Sequence, residues 1–148
     1  MKYIILFLIR SNGVKKEIFR IIDANLNRSR EGLRVCEEIT RFALNSPSLT
    51  KDLKAVRHSV TSLGKPYLLR SGGAVESRDS VGDVGRRARS KSEMRRLGTA
   101  DIFSANIERV KESLRVLEEF FKLVDKKASA KFTRLRFQVY EIEGKAIK

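Results

Sequence analysis

The segment Arg78-Asp79-Ser80-Val81-Gly82-Asp83-Val84-Gly85-Arg86-Arg87 sets two carboxylates four residues apart, among glycines and beside arginines. Carboxylates are the ligands that Mg²⁺ takes, and arginines and backbone N–H groups near glycine hold phosphoryl oxygens. The pattern points to phosphoryl chemistry. Asp79 and Asp83 are the candidate metal ligands, Arg78 and Arg86 the candidate phosphate ligands, and Ser80 supplies a neighbouring hydroxyl. A solvated surface turn is the competing reading of the same composition. Neither Gly-x-x-x-x-Gly-Lys-Ser/Thr nor Gly-x-Gly-x-x-Gly occurs, so the standard nucleotide-loop signatures are absent.

A second set of charged residues sits in helical sequence. Arg30 and Arg34 are four apart, as are Lys111 and Arg115, and like charges at that spacing call for a counter-anion. A phosphate serves, and so does a carboxylate. Glu38 lies four from Arg34 and Glu119 four from Arg115, so intrahelical ion pairs compete with roles in orienting an arginine or joining a metal shell. Arg57 is a further candidate for phosphoryl oxygens. His58 beside it is the sole histidine, read either as a substrate contact or as packing. Cys36, the sole cysteine, falls on an apolar face and reads as a small hydrophobe.

The elements that must position these groups are helices. From Lys15 to Leu44, apolar residues recur as Ile18, Ile22, Leu26, Leu33, Cys36 and Ile39. Asn45-Ser46-Pro47-Ser48 stops that helix. Ser48 or Thr50 is placed to cap a second, which carries Leu53, Val56, Val60 and Leu63 and ends or kinks near Pro66. Residues 71–90 lose all periodicity and hold four of the nine glycines, as functional or disordered segments do. Ser90 with Glu93 suggests a capping box for a short helix through Leu97. Two more helices follow, at about 100–124 and 128–147.

The helices repeat. Ala24-Asn25 through Glu37-Glu38-Ile39 lies over Ala105-Asn106 through Glu118-Glu119-Phe120 at a constant offset of 81. Leu53, Arg57 and Val60 lie over Phe132, Arg136 and Val139 at an offset of 79. The expected fold is all-α: a duplicated helical hairpin, about 15–64 and 98–147, forming a pseudo-two-fold four-helix bundle. The loop at 71–90 joins the copies within one domain, 15–148. At about 100° per residue, Asn25, Ser29 and Gly32 share the face of Ile22 and Cys36, as Asn106 and Ser113 do in the second copy. The two asparagines either pin helix register across the pseudo-axis or line a polar cleft and touch a ligand.

Composition narrows the partners. The net charge of +14 favours anions: nucleic acid, acidic lipid or a phosphorylated small molecule. One cysteine and one histidine exclude an internal disulfide and disfavour a zinc site, and a reducing cytoplasm is the natural compartment. The apolar run Tyr3 to Ile9 has seven residues, against the roughly 20 that a membrane span needs. Residues 1–14 therefore read as an extension, a strand or an arm that packs on a partner subunit in a homodimer.

Together, Asp23 through Glu38, Leu53 through His58, Ser77 through Gly85 and Ala105 through Glu119 resemble a small all-helical kinase family, found alone or fused ahead of thiamin phosphate synthase. The resemblance covers roughly Phe19 to Glu143, with Ser80 where the family usually has threonine. It implies phosphorylation of hydroxymethylpyrimidine monophosphate to the diphosphate, with ATP as donor and Mg²⁺ as cofactor. It also implies a standalone member with a functional link to the synthase, and no action on the free alcohol. Two other readings stand beside it. A basic helical nucleic-acid module explains the charge but not the Gly-Asp loop. A non-enzymatic helical interaction protein leaves that loop without a role.

Overall fold

The computed structural model describes residues 13–70, 81–85 and 95–148, with side chains from residue 16 to 68 in the first stretch. The apolar segment Met1 to Arg10 and the Ser90 cap lie outside the described residues. Helix α1 spans Gly13–Phe42, α2 Pro47–Arg70, α3 Thr99–Phe121 and α4 Lys126–Ala146. The all-α duplicated hairpin expected from the repeat is the fold observed.

Three local features differ from the sequence expectation. The cap of α2 is Ser46, not Ser48 or Thr50: the Leu49 N–H donates to Ser46 Oγ at 3.4 Å. Pro47 then starts the helix, where its missing N–H costs nothing. Asn45, in the left-handed region at φ 47°, turns the chain between the two helices. Second, α2 runs through Pro66 to Arg70. Proline frees the carbonyl four residues earlier, and Ser62 and Pro66 both lie on the exposed side where water can reach it. Tyr67 and Leu68 hold the last turn against the core. Third, residues 95–97 are not helical, so no helix runs through Leu97.

The helices pack in a ring: α1 against α2 and α3, and α4 against α3 and α2. Each contributes its apolar stripe to one core, including Ile22, Leu33 and Cys36 from α1, Leu53 and Val60 from α2, Ile107 and Leu114 from α3, and Phe132 and Val139 from α4. Phe121 sits between Tyr67 and Phe132, at 4.9 and 4.8 Å between ring centres. Burial pushes the Cys36 thiol up to about 12, so it behaves as a hydrophobe. Asp125 caps α4, accepting from the Lys127 and Ala128 N–H groups at 2.8 and 3.1 Å. The Tyr67 hydroxyl also donates to Asp125, and that bond leads the causes holding its carboxyl below the usual range.

The pseudo-two-fold axis passes through the crossing of α1 and α3. Ser29 Oγ and Ser113 Oγ are 2.7 Å apart and buried. The offset of 81 turns that pair into Val110 and Gly32, and these also touch: a Cβ on Gly32 would lie 2.7 Å from Val110 Cγ2 and 3.0 Å from the Asn106 carbonyl oxygen. A contact that maps onto its own symmetry mate is the mark of an isologous interface. Asn25 and Asn106 do not bridge the axis. Each donates to a carbonyl of its own helix, Ile21 and Ile102, at 2.8 Å.

A second symmetric pair joins the two helices within each hairpin. Arg57 Nε donates to Glu37 Oε2 at 2.8 Å in the first copy, and Arg136 Nε to Glu118 Oε2 at 3.0 Å in the second. Both glutamates are buried, at 4 % and 6 % exposure. Charge burial at that depth demands a partner.

Two outcomes follow from this packing. Gly32→Val drives two methyls into Val110 and the α3 backbone, and chemical denaturation should register a loss of about 2 kcal/mol. Arg57→Ala strands Glu37 and should cost about 2–3 kcal/mol; the loss stays moderate because Arg34 remains 3.2 Å from Glu37. Arg136→Ala should behave alike in the same denaturation series.

Candidate functional site

A cleft of about 930 Å³ runs along the N-terminal half of α1. Arg20, Asp23, Asn25, Arg28 and Glu31 line one side of it, and Asp83 of the central loop lines it too. Helical geometry explains the α1 wall. Arg20, Ala24, Arg28 and Glu31 recur at intervals of four, four and three, which makes one stripe, polar but for Ala24, beside the buried face of Asn25. Asn25 is only 5 % exposed, yet its side-chain oxygen accepts no hydrogen bond among the described residues. Asn27 Nδ2 reaches Asp23 Oδ1 at 3.4 Å. Asp83 is exposed, and its Oδ1 accepts the Gly85 N–H at 2.9 Å, which fixes the turn.

Of the residues singled out in the sequence, Asn25 and Asp83 meet in this cleft. Arg78, Asp79, Ser80 and Arg86 lie outside the described residues. Arg30 is exposed on the rim of a smaller cavity against α2. Arg34 pairs with Glu37 and Glu38 at 3.2 and 2.7 Å, farther along α1. Arg115 forms the corresponding pairs with Glu118 and Glu119, and Lys122 also reaches Glu119 at 2.8 Å. Those contacts, led by the Lys122 hydrogen bond, hold the Glu119 carboxyl below its usual range. Arg57 is committed to Glu37. His58 is exposed, as is its counterpart Phe137, so neither packs in the core. Lys111 is only 11 % exposed and pairs with Glu108 and Glu143. Burial acts to lower its ammonium, and the two hydrogen-bonded carboxylates outweigh it, so the net shift is upward. Asn106 is half-buried and does not line the cleft.

Arg20, Arg28 and Glu31 belong to the cleft although motif spacing did not select them. Their signal was the polar stripe on α1. It was masked because the same stripe is what any solvated helix face shows.

The donor set of the cleft suits one metal in particular. Mg²⁺ is usually held by one or two carboxylates, with phosphates and water completing its shell. Asp83, Asp23 and Glu31 share the cleft, while no group of three or more acidic, histidine or cysteine side chains among the described residues is close enough to hold an ion alone. That arrangement fits an ion that arrives with a nucleotide. Arg20 and Arg28 supply the positive charge that phosphoryl oxygens require. No helix among the described residues is long and apolar enough to cross a membrane.

Comparison with known proteins agrees with the motifs. The chain is 38% identical over 131 residues to a thiamine-phosphate synthase of Nostoc punctiforme, covering 88% of this chain and 36% of that protein. It is 37% identical over 130 residues to a thiamine-phosphate synthase of Rhodopirellula baltica, covering 88% and 34%. A thiamine-phosphate synthase of Synechocystis is 40% identical over 127 residues, covering 86% and 35%. The chain thus spans about a third of the length of these relatives. No solved structure matches it. The ThiD2 family matches residues 20–145, nearly the whole helical domain, and the chain belongs to that family.

Proposed function

We propose that the domain transfers the γ-phosphoryl group of ATP to hydroxymethylpyrimidine monophosphate, giving the diphosphate used in thiamin biosynthesis. The observation that carries the reading is membership of the ThiD2 family over residues 20–145. The cleft supports it with a surface suited to two polyanions: arginines, an asparagine whose oxygen accepts no hydrogen bond among the described residues, and an exposed carboxylate on a glycine-rich turn. Relatives that bear the synthase name carry this domain within a longer chain, which supports a link between the product made here and thiamine-phosphate synthase.

The chemistry makes modest demands on the residues. An oxygen of the acceptor's own phosphate forms the new bond to the γ-phosphorus, and the bond from that phosphorus to the ADP bridging oxygen breaks. The second pKa of a phosphate monoester is about 6, so the attacking oxygen is already anionic near neutral pH. No strong general base is needed, and the exposed His58 is not required to be one. Arg20 and Arg28 reduce the repulsion between donor and acceptor and stabilise the transferring group. Asn25 presents an amide oxygen to a donor on the ring or nucleotide. Asp83, with Asp79 and Arg78 of the same sequence segment, would hold the metal-bound triphosphate. Mg²⁺, when bound with ATP, would offset the negative charge of the phosphoryl groups.

Purified protein with Mg-ATP should turn over the pyrimidine monophosphate and leave the free alcohol untouched. Asp83→Ala and Asp79→Ala should each lower kcat/KM roughly 100-fold while leaving the helical melt unchanged. Absence of turnover by folded protein would overturn the assignment.

A further inference from the structure

The two repeats place a cation at matching points, and their surroundings differ. In the second repeat, Lys111 donates to Glu143 at 2.7 Å, pairs with Glu108, and lies 5.2 Å from the centre of the Tyr140 ring. At the repeat offsets, 81 in the first helix and 79 in the second, Lys111 corresponds to Arg30, Glu108 to Asn27, Tyr140 to Thr61 and Glu143 to Gly64. The cation is kept. Both carboxylates and the ring are gone.

The space left in the first repeat is a cavity of about 190 Å³ lined by Leu26, Arg30, Val60, Thr61, Gly64 and Lys65. Its floor is apolar and its rim carries two cations and no carboxylate. Arg30 makes no ion pair among the described residues. Gly64 keeps the floor intact, since a Cβ there would come within 2.6 Å of Leu26 Cδ1.

We infer that this cavity is the seat of a small aromatic ring bearing a phosphate, and that the second repeat has closed the equivalent seat with its own Tyr140 and Glu143. What satisfies Lys111 internally indicates what Arg30 takes from solution: an anion beside a flat ring. An apolar floor gives a ring somewhere to lie, and an arginine grips phosphate through its planar fork. The size favours a single ring over a nucleotide, for which the larger cleft has room. Asn27, in the wall of that cleft, sits one helical turn from Arg30. The seat therefore adjoins the cleft along α1, as an acceptor must adjoin a donor. The inference deepens the kinase reading by naming the acceptor's place, and it rests on that reading for the choice of probe.

Titration calorimetry with hydroxymethylpyrimidine monophosphate tests it without nucleotide. Two variants carry the test: Thr61→Tyr with Asn27→Glu, which copies the ring and one of the two carboxylates of the second repeat into the first, and Arg30→Gln. Thr61 and Arg30 are exposed and Asn27 half-exposed, so thermal melts should match wild type. Lys54→Gln removes one charge elsewhere on α2 as a control. Wild type and Lys54→Gln should bind one equivalent, and both cavity variants should bind at least roughly tenfold more weakly. No binding by wild type, equal binding by all four proteins, or equal weakening in Lys54→Gln would overturn the seat. Turnover with Mg-ATP, measured in parallel, separates the two claims. Wild type that binds as described without turning over supports the seat and sinks the kinase reading. Turnover unaffected in the cavity variants sinks the seat and spares the kinase.

Discussion

The close crossing of α1 and α3 is the constraint on which everything else depends. Ser29 and Ser113 share a buried hydrogen bond at 2.7 Å, and Gly32 admits Val110 and the α3 backbone. Each hydroxyl also reaches a carbonyl of its own helix at 2.8 Å, Asn25 for Ser29 and Arg109 for Ser113, so the pair meets at the crossing without stranding a polar group. The missing side chain at Gly32 sets how near the two helices come. The crossing thus fixes where each hairpin lies relative to the other, and through them the polar stripe of α1 that lines the large cleft.

Duplication explains both the stability of the frame and its division of labour. Each hairpin carries one stripe it cannot bury alone, and pairing two copies closes a single core. The glutamate–arginine bridges between helices are retained in both copies, because losing a partner would strand a buried carboxylate in either. The surface around Arg30 and Lys111 is under no such rule. There the copies have diverged: one has an open cavity, the other an internal network of Lys111, Glu108, Glu143 and Tyr140. A fold with approximate symmetry need not have two sites.

Much of this was legible in the sequence. Helical periodicity and the offset of 81 suffice for the element count, the buried faces and the pseudo-symmetry. The intrahelical pairs Arg34–Glu38 and Arg115–Glu119 follow from spacing alone and form at 2.7 and 2.9 Å. Contacts between helices were less accessible. That Glu37 takes Arg57 depends on the hairpin register, and no local pattern states it. The asparagines were candidates for pinning the axis, but each amide donates to a carbonyl one turn earlier in its own helix, and it is the serines that meet across the axis. The cap at Ser46 was hidden by three hydroxyl residues competing within five positions. The divergence at Thr61 and Gly64 becomes visible only once the second helices are aligned, at an offset two residues shorter than that of the first.

The central claim is that one repeat binds the phosphorylated ring and the other does not. Backbone amide NMR during titration with hydroxymethylpyrimidine monophosphate addresses it directly, because the two repeats report separately. The account predicts shifts concentrated at residues 23–31 and 57–68, with residues 104–112 and 136–146 nearly still. Equal shifts in both repeats, or shifts confined to the second, would contradict it.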